Sequence, residues 1–205
     1  MCPDADVVAP CECTAYFDGT SLLDCSRALS GGHLQELLAN ASSAVQAYTK
    51  LRIRKNYDIW ELTDATFGSV SFEEIQIEDT SLRSVSQNAL AASKDRLRMI
   101  NMNKNAISLF PFEEMENFSQ LFHLSLYKNH INTVPNIKSS SITVLNLSGN
   151  RISSIAPDTL QDLPILQNCY LQDNQIEFIE AGDLIIHMVT TSQKNIFFPA
   201  YKNPT

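Results

Sequence analysis

The sequence predicts an α/β chain: a right-handed, curved solenoid (a horseshoe) with a parallel concave sheet, closed at its amino end by a disulfide-stapled cap and a capping helix. Three observations carry that expectation. A motif of the form apolar-x-apolar-x-x-Asn, seen as LNLSGN at 145–150, recurs along the chain at nearly constant spacing. Four of the five cysteines crowd into the first 25 residues. Between these regions lies a stretch whose apolar residues are spaced as on one side of a helix. The expected divisions are 1–47 for cap and helix, 48–184 for six repeats, and 185–205 for a degenerate or truncated repeat or the start of a second cap.

The amino end reads Cys2-x8-Cys11-x-Cys13-x11-Cys25. A dense, even cluster of cysteines suits an oxidising compartment and a small element that cannot bury enough apolar surface without covalent staples. Zinc is the alternative, but the spacing lacks paired C-x2-C knuckles with a nearby histidine. Next, HLQELLANASSAVQAY at 33–48 places Leu34, Leu37, Leu38, Ala41 and Val45 at helical spacing. Plugging an open end of the array is the expected role of that helix.

The repeat itself occurs as LRIRKN (51–56), IQIEDT (75–80), INMNKN (100–105), LSLYKN (124–129), LNLSGN (145–150) and CYLQDN (169–174). Its last position is Asn56, Thr80, Asn105, Asn129, Asn150 and Asn174. Further apolar columns precede and follow the motif: Tyr48, Phe72, Leu97, Leu121, Ile142 and Leu166 three residues before it, then Leu82, Ile107, Ile131, Ile152 and Ile176 after it. Alternation puts the two motif leucines on one side of a short strand. No single unit can bury its apolar side alone, so units stack and their strands pair in parallel. A buried amide without partners costs about 1–3 kcal/mol. The asparagines Asn56, Asn105, Asn129, Asn150 and Asn174 are therefore expected to form a hydrogen-bonded ladder, with an irregularity at Thr80. Phe67, Leu90, Met115, Leu160 and Leu184 are expected to fill the convex side, and the short return PNIKSSS after Val134 to tighten the array.

These columns resemble the leucine-rich repeat consensus L-x-x-L-x-L-x-x-N-x-L over about residues 48–184. The segment before them resembles the amino-terminal cysteine cap of extracellular leucine-rich repeat proteins. That resemblance implies the pairings Cys2–Cys13 and Cys11–Cys25, with LLDCS (22–26) as a capping strand. The opening CPDADVVAPCECTAYFDGTSLLDCS is similar, more narrowly, to arthropod secreted leucine-rich repeat proteins described by their likeness to the non-catalytic subunit of a shrimp luciferase. At the other end, FFPAYKNPT resembles the point where such proteins run through Asn-Pro (here Asn203–Pro204) into a carboxy-terminal cysteine cap.

The residues between the motif leucines should then share one exposed face. Its columns read Lys50, Glu74, Met99, His123, Val144, Asn168; then Arg52, Gln76, Asn101, Ser125, Asn146, Tyr170; then Arg54, Glu78, Asn103, Tyr127, Ser148, Gln172. Six strands at ~4.8 Å spacing extend about 29 Å, a length suited to a protein segment or glycan rather than a small molecule. Lys50, Arg52, Arg54, Glu78, Asn101, Asn103, Tyr127 and Tyr170 are the expected contact residues. Two readings of the charged first repeats stand side by side: a docking end rich in anchor types, or neighbours neutralising one another.

Other classes of function find less support. A net charge of −8 opposes a sequence-independent grip on nucleic acid or on anionic lipid. No apolar run approaches the ~20 residues of a membrane span; the nearest is LIIHMV at 184–189. Met1 leads at once into Cys2, and a leader is expected to have been removed before it. No phosphate-cradling glycine loop, H-E-x-x-H or G-x-S-x-G is present. His33, His123, His130 and His187 fall at unrelated positions, and Glu73–Glu74 and Glu113–Glu114 read as solvated acids. Neither catalysis, metal nor cofactor is expected. Cys169 stands in a leucine column and should be an inert, buried thiol. Asn40 and Asn117 open glycosylation sequons off the sheet; Asn146 opens one on it and is expected to be unmodified. The expectation is a secreted, non-catalytic scaffold that binds a protein or glycan on its concave sheet, with an accessory subunit of a secreted complex as its narrower variant. The alternative is a fragment of an innate immune or cell-surface receptor ectodomain.

Overall fold

The computed structural model describes residues 2–156 and 158–176, together with the backbone of 195–197. The expectations placed on Leu184, His187, the 184–189 run, Asn203–Pro204 and most of 185–205 lie outside the described residues.

After a helical turn, α1 (Ala5–Val8), strands β1 (Glu12–Ala15) and β2 (Ser21–Asp24) form an antiparallel hairpin. Its tight turn rests on Asp18, whose carboxylate accepts from the Thr20 amide and hydroxyl at 3.0 and 2.7 Å, and on Gly19 at φ +85°. Disulfides Cys2–Cys13 and Cys11–Cys25 tie the hairpin to the segment before it.

Helix α2 (Gly31–Ala41) follows, with Ser30 as N-cap accepting from the His33 amide at 3.1 Å. Leu34, Leu37, Leu38 and Ala41 are buried along one side. The helix is shorter than the helical spacing over 33–48 implied. Ser42 and Ser43 turn their hydroxyls back onto the carbonyls of Ala39 and Asn40, at 2.7 and 2.9 Å, which competes with helix propagation. Val45 still packs against the core, but from a turn outside the helix.

The remaining strands are β3 (Ala47–Arg54), β4 (Glu61–Leu62), β5 (Ser71–Glu78), β6 (Ser84–Val85), β7 (Met99–Asn101), β8 (His123–Ser125), β9 (Val144–Asn146), β10 (Asn168–Tyr170) and β11 (Asn195–Phe197). Among the described residues nine strands form one sheet in the order β1-β2-β3-β5-β7-β8-β9-β10-β11, every pairing parallel except the opening hairpin. The chain is therefore α/β with a parallel sheet. Register runs unbroken through Leu23, Leu51, Ile75, Ile100, Leu124, Leu145 and Cys169 to Ile196. The motif leucines lie in a single core, because a slip of one residue would turn each strand's apolar set outward. β4 and β6 pair separately, in parallel. Phe67, Leu90, Met115 and Leu160 fill the return side of that core, where Tyr48 stacks on Phe72 at a ring separation of 5.9 Å and Phe67 meets Phe72 edge-on at 5.5 Å.

Each turn after a sheet strand from β3 to β10 uses the same device. The residue before the asparagine position takes positive φ: Lys55, Asp79, Lys104, Lys128, Gly149 and Asp173. The asparagine side chain then spans two repeats. Asn129 donates to Met102 O and Leu126 O at 2.8 and 3.0 Å and accepts from the Ile107 amide at 3.0 Å. Asn150 and Asn174 repeat this arrangement one and two repeats later, and Asn105 makes the same two donations, to Ile77 O and Met102 O. Asn56 instead donates to Ser26 O and Ala28 O of the cap, at 3.1 and 2.7 Å. At Thr80 a hydroxyl relays the bond: it accepts from the Leu82 amide at 3.2 Å and donates to Asn105 Oδ1 at 2.7 Å. The departure is confined to that rung, since β3 and β5 stay in register from Ala47–Ser71 to Arg54–Glu78.

Candidate interaction face

Along β3 to β10 the residues between the buried leucines are half-buried on one side of the sheet, as strand alternation requires. Two columns differ from a uniformly open surface. Ser125 and Ser148 are buried, because their short side chains lie beneath the amides of Asn103 and Asn146, which accept their hydroxyls at 2.7 and 2.6 Å.

The charged end is internally paired. Lys50 meets Glu74 at 3.3 Å, and Arg54 holds one oxygen of Glu78 through two nitrogens at 2.7 and 3.0 Å. Gln76 donates to the same oxygen at 2.7 Å. Arg52 turns the other way, to Asp24 of the cap hairpin, at 2.6 and 2.9 Å. Burial pushes the Asp24 carboxyl up, but hydrogen bonds from Ser26 and Arg52 outweigh it and hold the carboxyl below its ordinary value. Glu78 is likewise pushed up by burial but held below its ordinary value by hydrogen bonds from Arg54, Gln76 and Asn101. The partner of Arg52 escaped the sequence reading, although the leucine register of LLDC against LRIR places Asp24 beside it.

From β7 to β10 the described face positions carry no carboxylate, lysine or arginine. Asn101 bonds to Glu78 and accepts from the Asn103 amide at 3.3 Å, and Asn103 accepts in turn from the Tyr127 amide at 2.8 Å. The Tyr127 ring lies under the Lys128 ammonium, 5.2 Å from its centroid. Tyr170 is half-buried on β10. His123 is kept neutral more readily than an ordinary histidine by burial. Behind the face, Cys169 is a buried free thiol whose pKa burial pushes up to about 12. Asn40 and Asn117 are exposed away from the sheet. The sequence reading also passed over Leu29, Trp60 and Leu109, large apolar side chains left exposed outside the sheet; they follow no periodicity that would mark them.

Residues 138–185 match the family model described as Leucine rich repeat. The repeats of that stretch are leucine-rich repeats. Across 184 residues the chain is 33% identical to the Oplophorus-luciferin 2-monooxygenase non-catalytic subunit of Oplophorus gracilirostris, covering 88% of this chain and 50% of that protein. The likeness drawn from the cap thus extends through the leucine-rich repeats. Human podocan-like protein 1 is 29% identical over 106 residues, 51% of this chain and 20% of that protein. Human leucine-rich repeats and immunoglobulin-like domains protein 3 is 30% identical over 85 residues, 40% of this chain and 8% of that protein. The chain spans about half the length of the first of these relatives and much less of the other two. Among the described residues no helix is long and apolar enough to cross a membrane.

Proposed function

We propose that this chain is a non-catalytic interaction module, secreted or displayed outside the cell, that binds a protein partner through the sheet side of its leucine-rich repeats. In this reading residues 48–184 form a right-handed, curved solenoid whose concave face is the sheet, and residues 1–47 form a cap with α2 closing the first repeat. The observation that carries it is the unbroken parallel register from β2 to β11, which holds a polar face that no described helix or strand covers. Two disulfides in the first 25 residues support an oxidising location. The likeness to a subunit named as non-catalytic supports a role as companion to another chain.

The paired state of Arg52 changes how this is tested. Arg52 serves the seam with the cap, so Tyr127 and Tyr170 are the cleaner probes. Tyr127→Ala combined with Tyr170→Ala should weaken capture of the native partner from the source tissue or secretion, with the melting temperature unchanged. Undiminished capture by the folded double variant would move the site off the sheet face.

A further inference from the structure

Most cations on the first repeats are consumed by neighbouring acids, but a second group is not. Lys104 and Lys128 occupy the positive-φ position at the carboxy ends of β7 and β8, with their amides donating to Tyr127 O and Ser148 O. Arg151 sits one repeat further on, just past Asn150, and all three side chains are exposed. None of them is in an ion pair with a described acid. In the repeat after Lys128 the equivalent position is Gly149, where an added Cβ would stand 3.0 Å from Lys128 Cγ. The lysine therefore lies across the next turn, and its ammonium reaches back over Tyr127, at the edge of the uncharged half of the face.

We propose that Lys104, Lys128 and Arg151 form a cationic anchor at the rim of that face, and that its occupant is an extended peptide segment of the partner carrying one or two acidic side chains in an uncharged stretch. The inference rests on the sheet face being the binding surface. Two observations choose this ligand chemistry. First, the rim column is Lys55, Asp79, Lys104, Lys128, Gly149, Asp173, so an acid stands on each side of the unpaired cations. A continuous polyanion such as a sulfated polysaccharide would run against Asp79 and Asp173, whereas an isolated carboxylate meets only the cations. Second, the adjoining amides have spent their oxygens internally: Asn103 Oδ1 on Ser125 and Tyr127, Asn146 Oδ1 on Ser148. Their Nδ2 groups have no partner among the described residues. The floor thus offers donors, which match peptide carbonyls; sugar hydroxyls bind best where donors and acceptors alternate.

A displayed library of random dodecapeptides, selected on the full chain, tests this. Enriched peptides should carry one or two Asp or Glu residues among uncharged neighbours, and a synthetic copy should bind more weakly as salt is raised. Lys104→Gln with Lys128→Gln should lower its affinity about tenfold, as expected for two rim charges. Arg151→Gln, at a position without positive φ, provides an independent variant should the double variant misfold. Neutral or basic selected peptides, no binders at all, equal affinity for the folded rim variants, or capture of sialylated oligosaccharides instead of peptides would each overturn the proposal. The Tyr127→Ala, Tyr170→Ala variant separates the two readings. Binding lost there but kept in the rim variants leaves the sheet face as the site and removes only the anchor.

Discussion

The guanidinium of Arg52 clasps Asp24 through two nitrogens, at 2.6 and 2.9 Å, across the boundary between the cap hairpin and the first leucine-rich repeat. With Asn56 reaching Ser26 O and Ala28 O a few residues later, it joins the first repeat to the disulfide-tied hairpin and the turn that follows it.

This pair sets a pH dependence. The Asp24 carboxyl lies below its ordinary 3.8 in the folded chain, so its contribution to stability is complete above that value and is lost as pH falls through the lower folded value. Both side chains are partly exposed, at 35% and 23%, which limits the contribution to about 1 kcal/mol. Arg52→Ala should therefore lower stability by at most about that amount at pH 7, and the difference from the parent should shrink toward pH 3 in urea titrations. A difference that grows on acidification would contradict the pairing.

The asparagine ladder should dominate single-residue stability in the middle of the array. Asn129→Ala leaves the Ile107 amide without its acceptor and takes one of two donors from each of Met102 O and Leu126 O, a cost of about 2 kcal/mol. Thr80→Ala removes only the hydroxyl relay and should cost about 1 kcal/mol. Denaturant midpoints for the two variants check the order, which must not be reversed.

Gly149 is the one glycine among the six positive-φ turn positions. Its φ of +69° and the 3.0 Å approach to Lys128 Cγ predict that Gly149→Ala destabilises by about 1–2 kcal/mol. In a Lys128→Ala background the penalty should fall but not vanish, because Lys128 N would still lie 3.3 Å from the new Cβ. Thermal melts of the four chains form a double-mutant cycle, and strict additivity would show that the two positions do not touch.

Cys169 should be inert in the folded chain. Its thiol is buried and pushed up to about 12, so almost no thiolate exists at neutral pH. Iodoacetamide at pH 7.5 should leave the native protein unlabelled and label one cysteine after unfolding without reductant, since the other four are held in disulfides. Rapid native labelling would place the thiol outside the core.

What the sequence alone determined is whatever repeats. Leucine alternation at a near-constant interval specifies which side of every strand turns inward, because a one-residue slip would expose the whole set, and the parallel sheet follows. Contacts between repeats obey no such period and were left to the tertiary structure. It decided that Arg52 faces Asp24 and that Ser125 vanishes beneath the Asn103 amide. It also left Lys104, Lys128 and Arg151 without acids while Lys50 and Arg54 found theirs. The physical reason is range: apolar burial reads a residue's own place in its strand, whereas an ion pair or a side-chain hydrogen bond depends on which atom of a neighbour more than 20 positions away arrives within about 3 Å.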